Sequence, residues 1–161
     1  MKDKVFLDTS VFIYSVDSSP THKEKSDIAR QIIKQHIRGG TGVISIQVLQ
    51  EFYQVSTRKI QSPLSTEDAL EYLHYMAVLE TVHPDFDTLV TAIYLHKRLK
   101  FSFWDALIVQ AAAGANCSLL FTEDLQDGLH VGDLIIRNPF IADDQSLQDS
   151  PKDGSKGGAI P

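Results

Sequence analysis

The stretch Phe103-Trp104-Asp105-Ala106-Leu107-Ile108 places one acidic residue inside an apolar segment that has the character of a buried helix start. A carboxylate buried without a partner is costly, so Asp105 needs a capping role, a bound cation or a chemical function. Three more acidic positions lie at or near the ends of apolar runs, namely Asp8, Glu51 and the pair Glu123-Asp124. We therefore expect the fold to gather these acids into one site.

Length and composition indicate one globular domain with its own core. The chain has 161 residues, of which 43% are hydrophobic and 22% are charged. The single cysteine, Cys117, excludes a disulfide framework and a cysteine-rich zinc site. No segment approaches the roughly 20 apolar residues of a transmembrane helix, and the first apolar run is too short for a signal peptide. We expect a cytoplasmic protein that does not contact a membrane.

The net charge of −6 argues against a generic nucleic-acid-binding surface. However, the candidate site accounts for most of this charge, because the five acids Asp8, Glu51, Asp105, Glu123 and Asp124 carry five of the six excess negative charges. If these acids bind divalent metal ions, the remaining surface need not repel phosphate.

Short apolar strands alternate with amphipathic helices along the chain, which predicts an α/β domain with a mainly parallel sheet. The predicted strands are residues 4–8, 42–45, 79–83, 118–121 and 134–136. A helical turn is predicted at residues 11–14, and one helix carries Glu51. Four more helices are predicted to begin at the N-cap residues Thr21, Ser65, Asp85 and Ser102. Residues 1–141 form the predicted domain. Residues 142–161 are polar and aperiodic, so we expect a disordered tail.

The topology of a parallel sheet gives these acids a common location. Ligands bind beyond the carboxyl ends of the strands, where Asp8 and Asp124 would project. Glu51 lies on a helix that leaves the same edge, and Asp105 lies in a first helical turn, where the helix dipole favours negative charge. Oxygen ligands favour Mg²⁺ or Mn²⁺ over zinc or copper, and such ions support hydrolysis of phosphodiesters.

Each acid also has a structural interpretation. Asp105 follows Ser102 by three residues and could complete a capping box, and Asp8 could cap the next helix. Glu51 alone would be a solvated helix residue, and Asp124 alone a turn residue. Among the neighbouring aromatic residues, core packing of Phe103 and Trp104 is favoured over base stacking. The basic residues of the helix that starts near Thr21 are interpreted as a solvated face.

Four segments in this order resemble the PIN domain family, which includes the VapC-type toxins of bacterial toxin–antitoxin pairs. The segments are Phe6-Leu7-Asp8-Thr9-Ser10-Val11-Phe12-Ile13-Tyr14, Gln50-Glu51-Phe52, Phe103-Trp104-Asp105-Ala106-Leu107-Ile108 and Leu120-Phe121-Thr122-Glu123-Asp124-Leu125. The resemblance covers about residues 3–140. It implies a three-layer α/β/α sandwich with a parallel sheet of about five strands.

The resemblance also implies an activity and a set of site residues. A PIN-like chain is expected to be a Mg²⁺- or Mn²⁺-dependent endoribonuclease with one or two ions at its site. The acids that match the metal-binding positions are Asp8, Glu51, Asp105 and Asp124.

Three further residues are expected to support these acids. Thr122 matches the usual Ser or Thr near the last acid, and Ser10 stands where many members have Asn. Glu123 is an extra acid at the fourth position, as is Asp127, so the identity of the fourth ligand stays open between them and Asp124.

The resemblance implies the partners as well. These are an RNA substrate, an antitoxin protein that covers the acidic groove, and a second copy of the chain in a homodimer. Two other functions remain open. One is a catalytically idle PIN-like module that only binds a protein. The other is a small-molecule phosphohydrolase of the haloacid dehalogenase type, which is less favoured because it needs a second Asp where this chain has Ser10.

Overall fold

The structure is a computed structural model that describes residues 2–141. The expected disordered tail, residues 142–161, lies outside the described residues. The strands are β1 (Lys4–Leu7), β2 (Gly42–Ser45), β3 (Glu80–Val82), β4 (Cys117–Phe121), β5 (His130–Val131) and β6 (Leu134–Arg137). The helices are α1 (Thr9–Val16), α2 (Lys23–Gly39), α3 (Ile46–Ser56), α4 (Thr66–Met76), α5 (Phe86–Leu99) and α6 (Phe103–Gly114), with a 3-10 turn at Pro20–His22.

The strands form a single sheet of mixed direction, with the order β3-β2-β1-β4-β6-β5. Five of them run parallel, while β5 pairs antiparallel with β6 through a turn at Gly132, whose φ is +58°. The sheet thus has six strands, close to the predicted number of about five. The additional strand is two residues long, which is too short to show an alternating apolar pattern.

The helices cover both faces of the sheet, as the prediction of an α/β/α sandwich requires. α1 packs against α2 and α3, and α3 packs against α4, while α5 and α6 pack against each other. Right-handed crossovers place the first four helices on one face and the last two on the other, because the chain reverses direction across the sheet after β3. Within residues 2–141, no helix is both long enough and apolar enough to cross a membrane.

The core lies on both faces of the central strands. Its largest buried side chains include Phe6, Leu7, Ile44, Leu120 and Ile136. Leu7 of β1 is in register with Phe121 of β4, so these two neighbouring strands end at the same level. This register decides where the site forms, because the residues that follow the two strands emerge side by side.

Most of the predicted helix caps are confirmed. Ser65, Asp85 and Ser102 each accept a hydrogen bond from the backbone N–H three residues later. The predicted Thr21 cap is wrong. The 3-10 turn that starts at Pro20 occupies this segment, α2 begins at Lys23, and the Thr21 hydroxyl lies 2.9 Å from Ser19 Oγ. Proline favours the first position of a helical turn, which explains why the 3-10 turn starts at Pro20 and places Thr21 inside it.

Candidate active site

The site is built on the ends of β1 and β4, where the sheet order changes direction. Asp8 follows β1 and caps α1, and its Oδ1 accepts a hydrogen bond of 2.7 Å from the Thr9 N–H. Thr122 follows β4 and donates a 2.7 Å hydrogen bond from Oγ1 to Asp8 Oδ2. Asp8 is only 5% exposed and Thr122 is fully buried. The first acid is therefore held rigidly at the switch point, where open α/β sheets bind ligands.

The second acid, Glu51, joins this group from α3. Its Oε2 accepts a 2.7 Å hydrogen bond from the hydroxyl of Thr9, and its Oε1 accepts one of the same length from Gln47 Nε2. Gln47 Nε2 also donates to the carbonyl oxygen of Trp104 at 3.2 Å, which ties α3 to the first turn of α6. The positioning roles of Thr9 and Gln47 were not predicted from the sequence. Gln47 lies one helical turn before Glu51, and Thr9 adjoins Asp8.

The remaining two acids reach the same region from different elements. Asp105 is in the first turn of α6, and its backbone N–H donates to Ser102 Oγ at 3.1 Å. The cap therefore uses the Asp105 backbone and leaves its carboxylate available. Asp124 lies in the loop after β4, where its backbone N–H donates to Thr122 Oγ1 at 3.1 Å. Thr122 thus links the first acid to the fourth.

The charge effects on Asp8 and Asp124 connect all four acids, since Asp8 is influenced by Glu51 and Asp124, and Asp124 by Asp105 and Glu51. Burial raises the pKa of Asp8 to about 7, and the charges of Asp124 and Glu51 add to the effect, while the Thr122 and Thr9 hydrogen bonds oppose it. The pKa of Asp124 is also raised. Although the residue reaches solvent, the surrounding protein desolvates its carboxyl group, and the charges of Asp105, Glu123 and Glu51 contribute. Among residues 2–141, none of these four carboxylates forms an ion pair.

The two other candidates for the fourth acid have different partners. Glu123 accepts hydrogen bonds from the Tyr14 hydroxyl at 2.6 Å and from Lys25 Nζ at 3.1 Å. Asp127 accepts a 2.8 Å hydrogen bond from the Asn138 N–H. The other lysine and arginine residues of α2 are exposed, as expected of a solvated face, whereas the Lys25 ammonium group pairs with Glu123 and lies 4.8 Å from the centre of the Tyr14 ring. Of these three acids, Asp124 has the carboxylate that is uncommitted and near Asp105.

Ser10 and the space beside it complete the site. Ser10 Oγ is buried, and the described part of the chain offers it no hydrogen-bond partner. It faces an open cavity of about 650 Å³ that is also lined by Glu51 and Asp124. A buried hydroxyl normally has a partner, so this oxygen is suited to a ligand, a water molecule or a phosphate.

The oxygen atoms of the site and the negative charges of its carboxylates suit a hard divalent cation. The four acids, Ser10 and Thr122 offer carboxylate and hydroxyl oxygens, which Mg²⁺ and Mn²⁺ prefer. Residues 2–141 contain no three acidic, His or Cys side chains that are already arranged as a metal-binding group. The hydrogen bonds from Thr9, Gln47 and Thr122 instead orient the carboxylates of Glu51 and Asp8.

The aromatic residues beside Asp105 do not both pack as predicted. Trp104 is 62% exposed, so the expectation that it belongs to the core is wrong. It packs edge-to-face against half-buried Phe103, with the ring centres 5.1 Å apart. The first turn of a helix presents adjacent residues about 100° apart, so only one of such a pair can face the core.

Comparison with known proteins identifies the family. The PIN domain family matches residues 5–126. The fold is similar to DNA-bound VapBC from Salmonella typhimurium, with a TM-score of 0.62 and 17% identity over 86% of this chain and 99% of that chain. It is also similar to Mycobacterium tuberculosis VapC20, a toxin that cleaves the sarcin-ricin loop, with a TM-score of 0.59 and 17% identity over 75% of this chain and 92% of that chain.

A toxin–antitoxin complex from Klebsiella pneumoniae has a TM-score of 0.61 and 14% identity over 85% of this chain and 98% of that chain. These similarities in structure show a common fold. A search among curated proteins gave no match. The family match extends over most of the chain and contains all four candidate acids, and the chain therefore belongs to the PIN domain family.

Proposed function

We propose that the protein is a Mg²⁺- or Mn²⁺-dependent endoribonuclease and the toxin of a toxin–antitoxin pair. PIN domain proteins are nucleases, so hydrolysis of a nucleic acid follows from the family. The single observation that carries the metal-dependent chemistry is the group of four carboxylates around buried Asp8, which have no cationic partner among the described residues. Like charges in such a group repel one another, and divalent cations relieve this repulsion.

The proposed roles follow from the contacts of each side chain. Asp8, Glu51, Asp105 and Asp124 would hold one or two ions. When bound, a divalent ion supplies water activation and stabilises negative charge on phosphate oxygens. Thr122 keeps the Asp8 carboxylate in one orientation and positions the Asp124 backbone.

Two further residues position or complete the site. Gln47 restrains Glu51 and the start of α6 together, and the unpartnered hydroxyl of Ser10 can donate a hydrogen bond to a phosphate oxygen.

RNA is the proposed substrate because the PIN resemblance implies it and because VapC20, which shares the fold, cleaves the sarcin-ricin loop. The toxin role is supported by the similarity to solved toxin–antitoxin complexes. The buried free thiol of Cys117 is compatible with a reducing compartment, and we propose that the protein acts in the cytoplasm.

The surface beside the acids supports the proposed binding of an antitoxin. An apolar groove of about 530 Å³ lies between α3 and α4 and is lined by Ile46, Leu49 and Leu73. Gln50 lines both this groove and the cavity next to the acids. An amphipathic segment could therefore place apolar side chains in the groove and a basic side chain over the carboxylates.

The proposed homodimer is supported by α5. Ile93 and Tyr94 follow Phe86 by seven and eight residues, so the three side chains lie on one face of this helix. All three are exposed. A contiguous exposed apolar face is typical of an interaction surface.

A cleavage assay with RNA and Mg²⁺ or Mn²⁺ tests the proposed function. Asp8→Asn and Asp105→Asn should each reduce cleavage at least about 100-fold, because removing a metal ligand costs at least as much as removing its supporting partner. Asp87→Asn is the matched control, since Asp87 is an exposed acid in the first turn of α5. Full cleavage by both site variants would refute the mechanism.

The same assay separates the other functions. The product of a short open reading frame beside this gene should suppress cleavage if it is the antitoxin. Metal binding without cleavage of any RNA would indicate an idle protein-binding module. Release of inorganic phosphate from small phosphoesters would indicate a phosphohydrolase.

A further inference from the structure

The cavity lined by Glu51, Asp124 and the hydroxyl of Ser10 is also lined by two basic side chains. These are His22, from the 3-10 turn after α1, and Lys59, from the loop after α3. Lys59 is exposed and forms no ion pair within residues 2–141. A basic group that is free and beside an acidic site is available for an anionic ligand.

His22 is fixed in orientation by a buried acid. Its Nδ1 lies 2.7 Å from Asp17 Oδ2, and the Ser19 N–H donates to Asp17 Oδ1 at 2.8 Å. Although burial acts in the opposite direction, these hydrogen bonds hold the pKa of Asp17 below its usual value. An ionised carboxylate only accepts hydrogen bonds, so Nδ1 carries the hydrogen and Nε2 is left for a ligand. Edge-to-face packing against Tyr14, with ring centres 5.4 Å apart, further restrains the imidazole.

Apolar side chains and amides also line this cavity. They include Ile13, Val55, Gln54 and Gln61. The volume of about 650 Å³ is within the range of roughly 300–1,000 Å³ that is typical of small-ligand pockets. Apolar side chains with a few amides suit a nucleobase, and a cation in the same cavity suits the phosphate of that nucleotide.

We propose that this cavity binds one unpaired nucleotide of the RNA next to the scissile phosphate, and that Lys59 and His22 bind its outer phosphate. This inference rests on the proposed nuclease function and extends it to a substrate subsite. It assigns to Gln54 and Gln61 the contacts to the base. With the scissile phosphate at the carboxylates, the acidic site and the basic side chains of the cavity act on successive phosphates of one strand.

The test measures binding of a labelled single-stranded RNA of mixed sequence in an Asp105→Asn background, in which the RNA is expected to stay intact. Lys59→Met should weaken binding about two- to fivefold, the range for one exposed ion pair. The slope of log Kd against log salt should fall by about 0.7, the value for one phosphate contact on a single strand. Lys34→Met is the control, because Lys34 is exposed on α2 and does not line the cavity.

His22→Gln tests the second basic group. When both of its ring nitrogens carry hydrogen, His22 can donate to a phosphate from Nε2 while Nδ1 stays bonded to Asp17. His22→Gln should therefore weaken binding of the same RNA. His83→Gln is the control, because His83 is exposed and does not line the cavity.

A third variant tests the cavity itself, apart from its charges. Gln54→Trp fills the space from an exposed position, so it should weaken RNA binding without changing the unfolding temperature. Unchanged affinity and salt slope in Lys59→Met, together with unchanged affinity in Gln54→Trp, would overturn the subsite. If the wild-type protein binds this RNA through the cavity but does not cleave it, the proposed function fails while the subsite stands.

Discussion

At the scale of single residues, Asp8 accepts hydrogen bonds that favour its ionised form, but burying its negative charge still costs free energy. Thr122 and the Thr9 N–H satisfy both carboxylate oxygens. Burial and two neighbouring carboxylates nevertheless raise its pKa to about 7. Thr122 therefore reduces the cost of burying Asp8 without removing it. A cation at the site would stabilise the ionised form, which couples metal binding to the state of this residue.

This coupling predicts a pH dependence of stability in the metal-free protein. A carboxyl whose pKa is higher in the folded state, here about 7 against 3.8, binds a proton more tightly when folded. Its contribution to stability is present at low pH and is lost as the pH rises through that interval, at no more than about 1.4 kcal/mol per pH unit. Denaturant unfolding in a chelator, at about pH 5 and pH 8, should show this decline.

Asp8→Asn should flatten the pH dependence, because an amide does not titrate. Asp3→Asn is a suitable control, since Asp3 is exposed and lies near the same strand. A decline of the same size in wild type and in Asp8→Asn would contradict the assignment of the raised pKa to Asp8.

At the scale of elements, helix α6 brings Asp105 to the site through its N-terminal cap. The Ser102 hydroxyl accepts from the Asp105 N–H, and Gln47 holds the carbonyl of Trp104. Two independent bonds therefore define the first turn of this helix. The positive end of the helix dipole lies at this first turn, which carries Asp105.

The serine N-caps of α4 and α6 allow an effect on stability to be distinguished from an effect on RNA cleavage. Ser102→Ala and Ser65→Ala each remove a serine N-cap and should each cost about 1 kcal/mol of unfolding free energy. Only Ser102→Ala should also lower RNA cleavage, by roughly tenfold, because a small displacement of Asp105 misplaces a reacting group. Denaturant unfolding and cleavage rates of the two variants provide the comparison. Equal cleavage by both would show that the α6 cap does not position the acid.

At the scale of the whole molecule, helix α5 contributes an exposed apolar face and none of the four acids. The acids emerge at the carboxyl ends of β1 and β4 and on the helices beside them, whereas α5 packs on α6 and presents Phe86 and Tyr94 to solvent. These two side chains are 74% and 69% exposed. Large apolar side chains at such exposure favour contact with a second molecule.

We expect the protein to dimerise through α5. Replacing Phe86 and Tyr94 together by Glu should shift the protein to a monomer, because two charges would be buried in an apolar interface. Val78→Glu is the control, as Val78 is 73% exposed but lies outside α5. Light scattering after size-exclusion chromatography, over a range of concentrations, measures the shift. A wild-type monomer at every concentration would refute the dimer, and a double variant that stays dimeric would refute this face.

Much of the fold could be predicted because its signals are local. The apolar runs that became β1, β2 and β4 are bounded by polar or glycine residues, and the serine caps of α4 and α6 are adjacent to the helices they start. The sequence pattern was insufficient where two local signals competed, as at Thr21, where the preceding proline started a 3-10 turn. It was also insufficient for β5, whose two residues acquire strand geometry only by pairing with β6.

The sequence by itself determined the α/β alternation, the family resemblance and the identity of the candidate acids, because each depends on residues close together in the chain. Only the tertiary structure decided that Asp124 lies near Asp105 while Glu123 pairs with Lys25 and Tyr14. It also decided that Gln47 and Thr9 restrain Glu51. The physical reason is that adjacent side chains in a loop point in different directions, and the partner each one meets is set by strands and helices distant in the chain.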